Sequence, residues 1–271
     1  MAQTIGMNMP IRIPPFMQRT VFQVTAAALV LVLWSAMVAT RFVPENLLPG
    51  PVAVLRAGWE EATSGRLLVS TEISMLRLCS GFAMGAMVGV VLGILMGLAP
   101  IVRMALAPIV ELLRTIPPLA WIPLAIIWFG IGEASKLFLI ALTAFIPIVI
   151  ATDRGVKQID PVLMRAARSL DVPSHRMMTS VVVKAALLDI ATGLRLGWTM
   201  SFAILVGAEM IAAEAGVGHM LMSAMNVGRF DIVIFGILFL GVLSIATDAV
   251  LTTFIARFLL HWHVSNDKEV Q

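Results

Sequence analysis

Two stretches of this chain run for more than twenty residues without a charge: Thr20 to Thr40, between Arg19 and Arg41, and Leu78 to Val102, between Arg77 and Arg103. A helix rising 1.5 Å per residue crosses the hydrocarbon core of a bilayer in about 20 residues, so each stretch is long enough to span. The remainder agrees. Over 271 residues the mean hydropathy is +0.96 and only 13% of residues are charged, more apolar surface than a soluble domain of this size can bury. The chain reads as an all-α membrane protein.

Four further runs bring the expected spans to six: Thr115 to Gly132, Leu137 to Thr152, Ile190 to Ala213 and Ile232 to Ala256. Arg12 and Arg19 ahead of the first span resemble the start of a signal peptide, but its apolar core exceeds the usual 7 to about 15 residues, so it reads as an uncleaved anchor. Arg154, Lys157, Arg165, Arg168, Arg176 and Lys184 form the densest basic segment, which the positive-inside rule places in the cytoplasm. Six spans then put both termini and a turn at Arg103 on that side, with residues 41–77 outside. Those outer residues include Arg41, Arg56, Arg66 and Arg77, accompanied by Glu45, Glu60, Glu61 and Glu72. Within them, Pro49, Gly50 and Pro51 mark a turn before a short polar helix.

In the second span Gly81, Gly85, Gly89, Gly93 and Gly97 recur at every fourth position, which leaves one helix face smooth. Helices in lipid associate through close backbone approach at small residues, so this is a packing face. The third span carries Pro117, Pro118 and Pro123, which interrupt regular helix. Interrupted backbone at membrane depth is tolerated where it is buried in protein or faces a cavity. This segment, with Trp121 and Trp128, is a candidate pathway wall or else a kinked entry helix anchored by tryptophan.

Bond chemistry finds little support. There is no GxxxxGK[ST] phosphate cradle and no GxSxG nucleophile elbow. The single cysteine, Cys79, permits no disulfide, and His175, His219, His261 and His263 lack companions for a metal site. A net charge of +3 with pI near 9.6 reflects cytoplasmic loops and does not suggest nucleic acid. The informative charges are Arg195, Glu209 and Asp248, inside candidate spans, where an ionised group faces the protein interior or a water-filled cavity. Arg195 and Glu209 lie roughly 21 Å apart along one helix, so each needs another partner. Glu111 and Arg114, three residues apart, suit a structural pair.

The basic segment has its own architecture. Asp160 followed by Pro161 is a helix start, and a second helix can begin after Asp171-Val172-Pro173, with Asp171 as cap and Ser174 and His175 in its first turn. Ala166, Ala167, Met177 and Met178 are available to press against something.

This helix-turn-helix resembles the cytoplasmic loop of the permease subunits of ATP-binding-cassette importers, whose pattern is EAA, three residues, Gly, nine residues, I-x-L-P. Here it reads Arg165-Ala166-Ala167, then Asp171, then Val181-Val182-Val183-Lys184, with Arg165 for Glu, Asp171 for Gly and Lys184 for Pro. Asp tolerates left-handed backbone better than most residues. "LLPGP" (47–51), "IPPLAWIPLAIIWFGIGEASKLFLI" (116–140), "TGLRLG" (192–197) and "GAEMIAA" (207–213) look like the taurine, alkanesulfonate and nitrate branch.

The resemblance implies the type I importer permease fold, with residues 1–19 and 260–271 cytoplasmic, a six-span domain over 20–259 and a coupling loop at 153–189. It implies a bacterial inner-membrane homodimer, two ATPase subunits that bind the ATP and Mg, and an external periplasmic binding protein. The coupling contact is expected at Arg165, Ala166, Ala167, Ser169, Leu170, Asp171, Val172, Pro173, Ser174 and His175. Alternating access, with no chemistry in this chain, is the expected mechanism. An organosulfonate such as taurine is the first substrate, and nitrate or another small organic anion the alternative. Arg195 could contact an anionic solute or form a structural ion pair. An ATPase-independent transporter or channel is the rival class.

Overall fold

The computed structural model describes residues 15–40, 43–44 and 47–258, apart from the side chains of Ser174, of Phe258 and of several residues in the first half of α1. Residues 1–14 and the tail from 259 on, with Arg12, His261, His263 and Lys268, lie outside the described residues. Every regular element among the described residues is helical.

The helices are α1 (Pro15–Ala39), α2 (Pro51–Thr63), α3 (Arg66–Leu98), α4 (Pro100–Thr115), α5 (Ile122–Phe129) and α6 (Glu133–Lys157). They continue as α7 (Pro161–Ser169), α8 (Ser174–Arg176), α9 (Val183–Ala185), α10 (Leu187–Ala212), α11 (Val217–Asn226) and α12 (Phe230–Phe258). A 3₁₀ turn, Pro118–Trp121, precedes α5, and a π-wound segment, Met177–Val182, joins α8 to α9. Among the described residues four helices, α3, α6, α10 and α12, are long and apolar enough to cross a membrane. The fifth candidate is α4 with the Pro118–Phe129 segment, bent by 99°, and α1 contributes the shorter apolar run Ala28–Ala39.

Three expected boundaries are corrected. The third span is not one helix over Thr115–Gly132, because α4 starts at Pro100 and the chain breaks where Pro117 and Pro118 withhold donors. Arg103 is therefore inside a helix, and the turn falls at Ala99. Residues 66–77 belong to α3 rather than to an outer loop.

The glycine stripe sets the centre of the bundle. Added Cβ atoms would lie 2.7 Å from Ile140 at Gly81, 2.2 Å from the Ala141 carbonyl at Gly85 and 2.9 Å from Ile148 at Gly89. At Gly93 and Gly97 they would lie 2.5 Å from Thr152 and Val156. Every fourth residue of α3 thus meets the next turn of α6. Interior glycine costs a helix about 1 kcal/mol relative to alanine, a cost offset here by backbone-level contact along the length of α6.

Against this pair α10 brings Gly193 and Gly197 to the other side of α6, and its Trp198 ring meets Phe82 edge-on at 5.1 Å. Leu78, Ile140, Ile148 and Leu205 close the core. The hairpin α7–α9 hangs from one end of the bundle, and α2 and α11 pack at the opposite end. There Gly58 of α2 lies against the Phe235 ring of α12. Most of α12 faces outward, with Val242, Ile245 and Val250 exposed, as befits a lipid or partner face.

Candidate functional site

The hairpin is built locally. The Asp160 carboxylate accepts the Val162 amide at 2.7 Å, and Pro161 occupies the first position of α7. The helix closes with a Schellman motif: the Val172 amide donates to Ala167 O at 3.3 Å and the Asp171 amide to Arg168 O at 3.0 Å. Asp171, at φ 49°, is the one non-glycine residue with positive φ among the described residues. It holds the position of the family's glycine. Asp171 thus ends α7 through its backbone.

Ala167 is buried, and Met164 and Met178 pack against Val182, Ala186 and Ile190 at the foot of the bundle. Arg165, Ala166, Ser169, Pro173 and His175 are exposed, and Val172 is half-buried. At the tip Leu170 is 78% exposed, and Val162 and Leu163, about two turns back along α7, are exposed as well. The π winding that follows is a rare geometry, frequent at functional sites.

At the opposite end the structure assembles a polar node that sequence reading missed. Arg77 donates through Nε and Nη2 to both oxygens of Glu133 at 2.6 Å, and through Nη1 to Glu209 at 2.8 Å and Ala215 O at 2.5 Å. Lys136 donates to Glu133 at 2.9 Å. The Ser74 hydroxyl donates to the Glu209 carboxylate at 2.8 Å and accepts the Val217 amide at 2.9 Å. Glu209 also accepts the Gly218 amide at 3.0 Å, at the start of α11, where the helix dipole favours an anion. Gly216 and Gly218 make room for it, since a Cβ there would sit 2.4 Å and 2.7 Å from Glu209 atoms. Two cations and two anions balance, so the node braces α3, α6, α10 and α11. One signal was available: Arg77 stands four residues before Gly81, in phase with the stripe that faces α6.

Arg195 finds Asp248 of α12 in a bidentate pair, Nη2 to Oδ2 at 2.8 Å and Nε to Oδ1 at 3.1 Å. Glu111 and Arg114 pair with each other on α4. Trp121 packs on the core, and its indole N–H has no partner among the described residues.

Between α6, α10 and the broken segment lies a crevice of about 390 Å³. Thr143, Pro147 and Arg154 line it from α6, Asp189, Thr192 and Met200 from α10, Arg114 from the last turn of α4 and Pro118 from the break. Pro118 lines this crevice. Broken backbone beside a cavity is what lipid permits.

Residues 89–259 match the model of the family described as binding-protein-dependent transport system inner membrane component. The chain is 36% identical to a Bacillus subtilis protein named for aliphatic sulfonates transport as a permease, over 88% of this chain and 86% of that one. It is 35% identical to the Escherichia coli taurine transport system permease protein, over 92% of each. It is 31% identical to a Synechocystis nitrate import permease protein, over 82% of this chain and 83% of that one. A chain of the inward-facing MetNI methionine ABC transporter shares the fold, with TM-score 0.53 at 16% identity, covering 75% of this chain and 96% of that one. The chain is a member of the binding-protein-dependent transport family, a permease of the ATP-binding-cassette importers in the sulfonate, taurine and nitrate branch.

Proposed function

We propose that two copies of this chain form the membrane pathway of an importer for small sulfonates, taurine first among them. Two separate ATP-hydrolysing subunits, which hold the ATP and Mg, drive it from the hairpin side, and a periplasmic binding protein delivers solute to the opposite end. The hairpin side and both termini then face the cytoplasm. The observation that carries the reading is the hairpin tip: Leu170 stands exposed on a turn held by two backbone hydrogen bonds, a rigid apolar knob among arginines. Such a knob suits a groove on a partner. ATP-driven closure of that partner would move the two hairpins, and the bundles above them would reorient about the pathway.

Taurine comes first because two relatives are named for sulfonate-class solutes. Nitrate is the second reading, carried by the nitrate import permease. The experiment is uptake by the assembled importer in proteoliposomes, with taurine, ethanesulfonate and nitrate compared in the presence and absence of ATP. ATP-dependent taurine uptake supports the reading. Uptake that proceeds without any ATPase would overturn the reading in favour of the ATPase-independent transporter.

A further inference from the structure

The crevice between α6 and α10 is apolar along most of its wall, and its charges are Arg114, Arg154 and Asp189. Of the charged side chains on α6, Glu133 and Lys136 join the Arg77 node and Asp153 pairs with Lys157. On α10, Arg195 pairs with Asp248 and Glu209 with Arg77. Arg154 and Asp189 are the remainder. Neither side chain has an ion-pair or hydrogen-bond partner among the described residues, and both line this crevice. The two helices are in intimate contact there, since a Cβ on Gly155 would lie 2.6 Å from that of Asp189. A cation and an anion face one cavity from adjacent helices without pairing to each other. Arg154 is exposed and Asp189 half-buried at the rim of the crevice, so both charges are free to meet a solute.

We infer that this crevice is a binding station for a short zwitterionic amino sulfonate. The inference rests on the sulfonate-import reading and adds selection within that class. Arg154 takes the sulfonate, with Arg114 at the lip as a second cation, and Asp189 takes the ammonium. The volume is in the range of small-ligand pockets. A simple alkanesulfonate leaves Asp189 unmatched beside its own negative charge, so the crevice favours the amino compound.

The test is binding of taurine and of ethanesulfonate, separately, to the permease assembled with its ATPase in lipid nanodiscs without the binding protein. Asp189→Asn should weaken taurine at least tenfold and leave ethanesulfonate unchanged or tighter. Arg154→Gln should weaken both, with partial recovery in Arg154→Lys. Thr192→Phe, which narrows the crevice and leaves both charges, should weaken taurine binding at least tenfold. The inference is overturned if Thr192→Phe leaves taurine binding unchanged, if Asp189→Asn weakens both solutes equally, or if the wild type binds neither. Wild-type importer that takes up taurine while the variants bind it unchanged overturns this inference alone. Wild-type importer that takes up no sulfonate overturns the reading beneath it.

Discussion

Arg77 on α3 and Glu209 on α10, 132 positions apart in the chain, share an ion pair of 2.8 Å with side chains only 7% and 1% exposed. Breaking a buried pair strands the surviving charge, at about 3–5 kcal/mol. Arg77→Leu and Glu209→Leu should each lower the thermal unfolding midpoint in detergent sharply. The double variant should lose less than the sum of the two, and strict additivity would show that the pair is not coupled.

Gly85 faces the Ala141 carbonyl, a backbone atom that cannot swing aside. Gly85→Val should cost about 2–3 kcal/mol through overpacking. Gly241 of α12 has open space around it, so Gly241→Ala should leave stability unchanged or slightly raised. Equal unfolding midpoints for the two variants would contradict the α3–α6 interface.

Asp171 sits in left-handed backbone as the residue after the cap of α7. Asp171→Gly should be neutral or stabilise the hairpin by several tenths of a kcal/mol, whereas Asp171→Val should destabilise it by about 1–2 kcal/mol. Hydrogen exchange at the Asp171 and Val172 amides reads this directly, and protection in Asp171→Val equal to wild type would count against the strain.

Leu170 contributes nothing to the core, being exposed at the hairpin tip. Leu170→Glu should therefore leave the unfolding midpoint of the isolated permease unchanged while abolishing ATP-dependent uptake. Normal uptake by this variant would remove the hairpin tip from the drive.

Arg195 and Asp248 join α10 to α12 across a surface that is partly exposed in the single chain. Either one alone, as Arg195→Gln or Asp248→Asn, should reduce the yield of folded protein in membranes, because a lone charge in a span is unfavourable. The double neutral variant should restore it. Failure of that restoration would assign one of the two charges to the solute path.

Much of this molecule is legible in one dimension, because the relevant physics acts between residues a few positions apart. Apolar run length makes it a membrane protein. A glycine every fourth residue makes one face of α3 smooth whatever lies opposite, and Asp160-Pro161 starts a helix through its own backbone. The resemblance located the hairpin, and even its departure at Asp171 could be judged from the left-handed tolerance of that residue. What remained hidden depends on which helices adjoin. Arg77 looked like the charge that ends an outer loop, and only the packing of α3 against α6 and α10 shows it to be a buried hub between Glu133 and Glu209. Likewise Arg195 and Glu209 plainly needed partners, but choosing Asp248 and Arg77 required the fold. Arg154 counted only as one charge of the basic segment, and tertiary structure set it on one crevice with Asp189. Local pattern decides what each segment is, whereas charge pairing between distant segments is decided by geometry that no single segment contains.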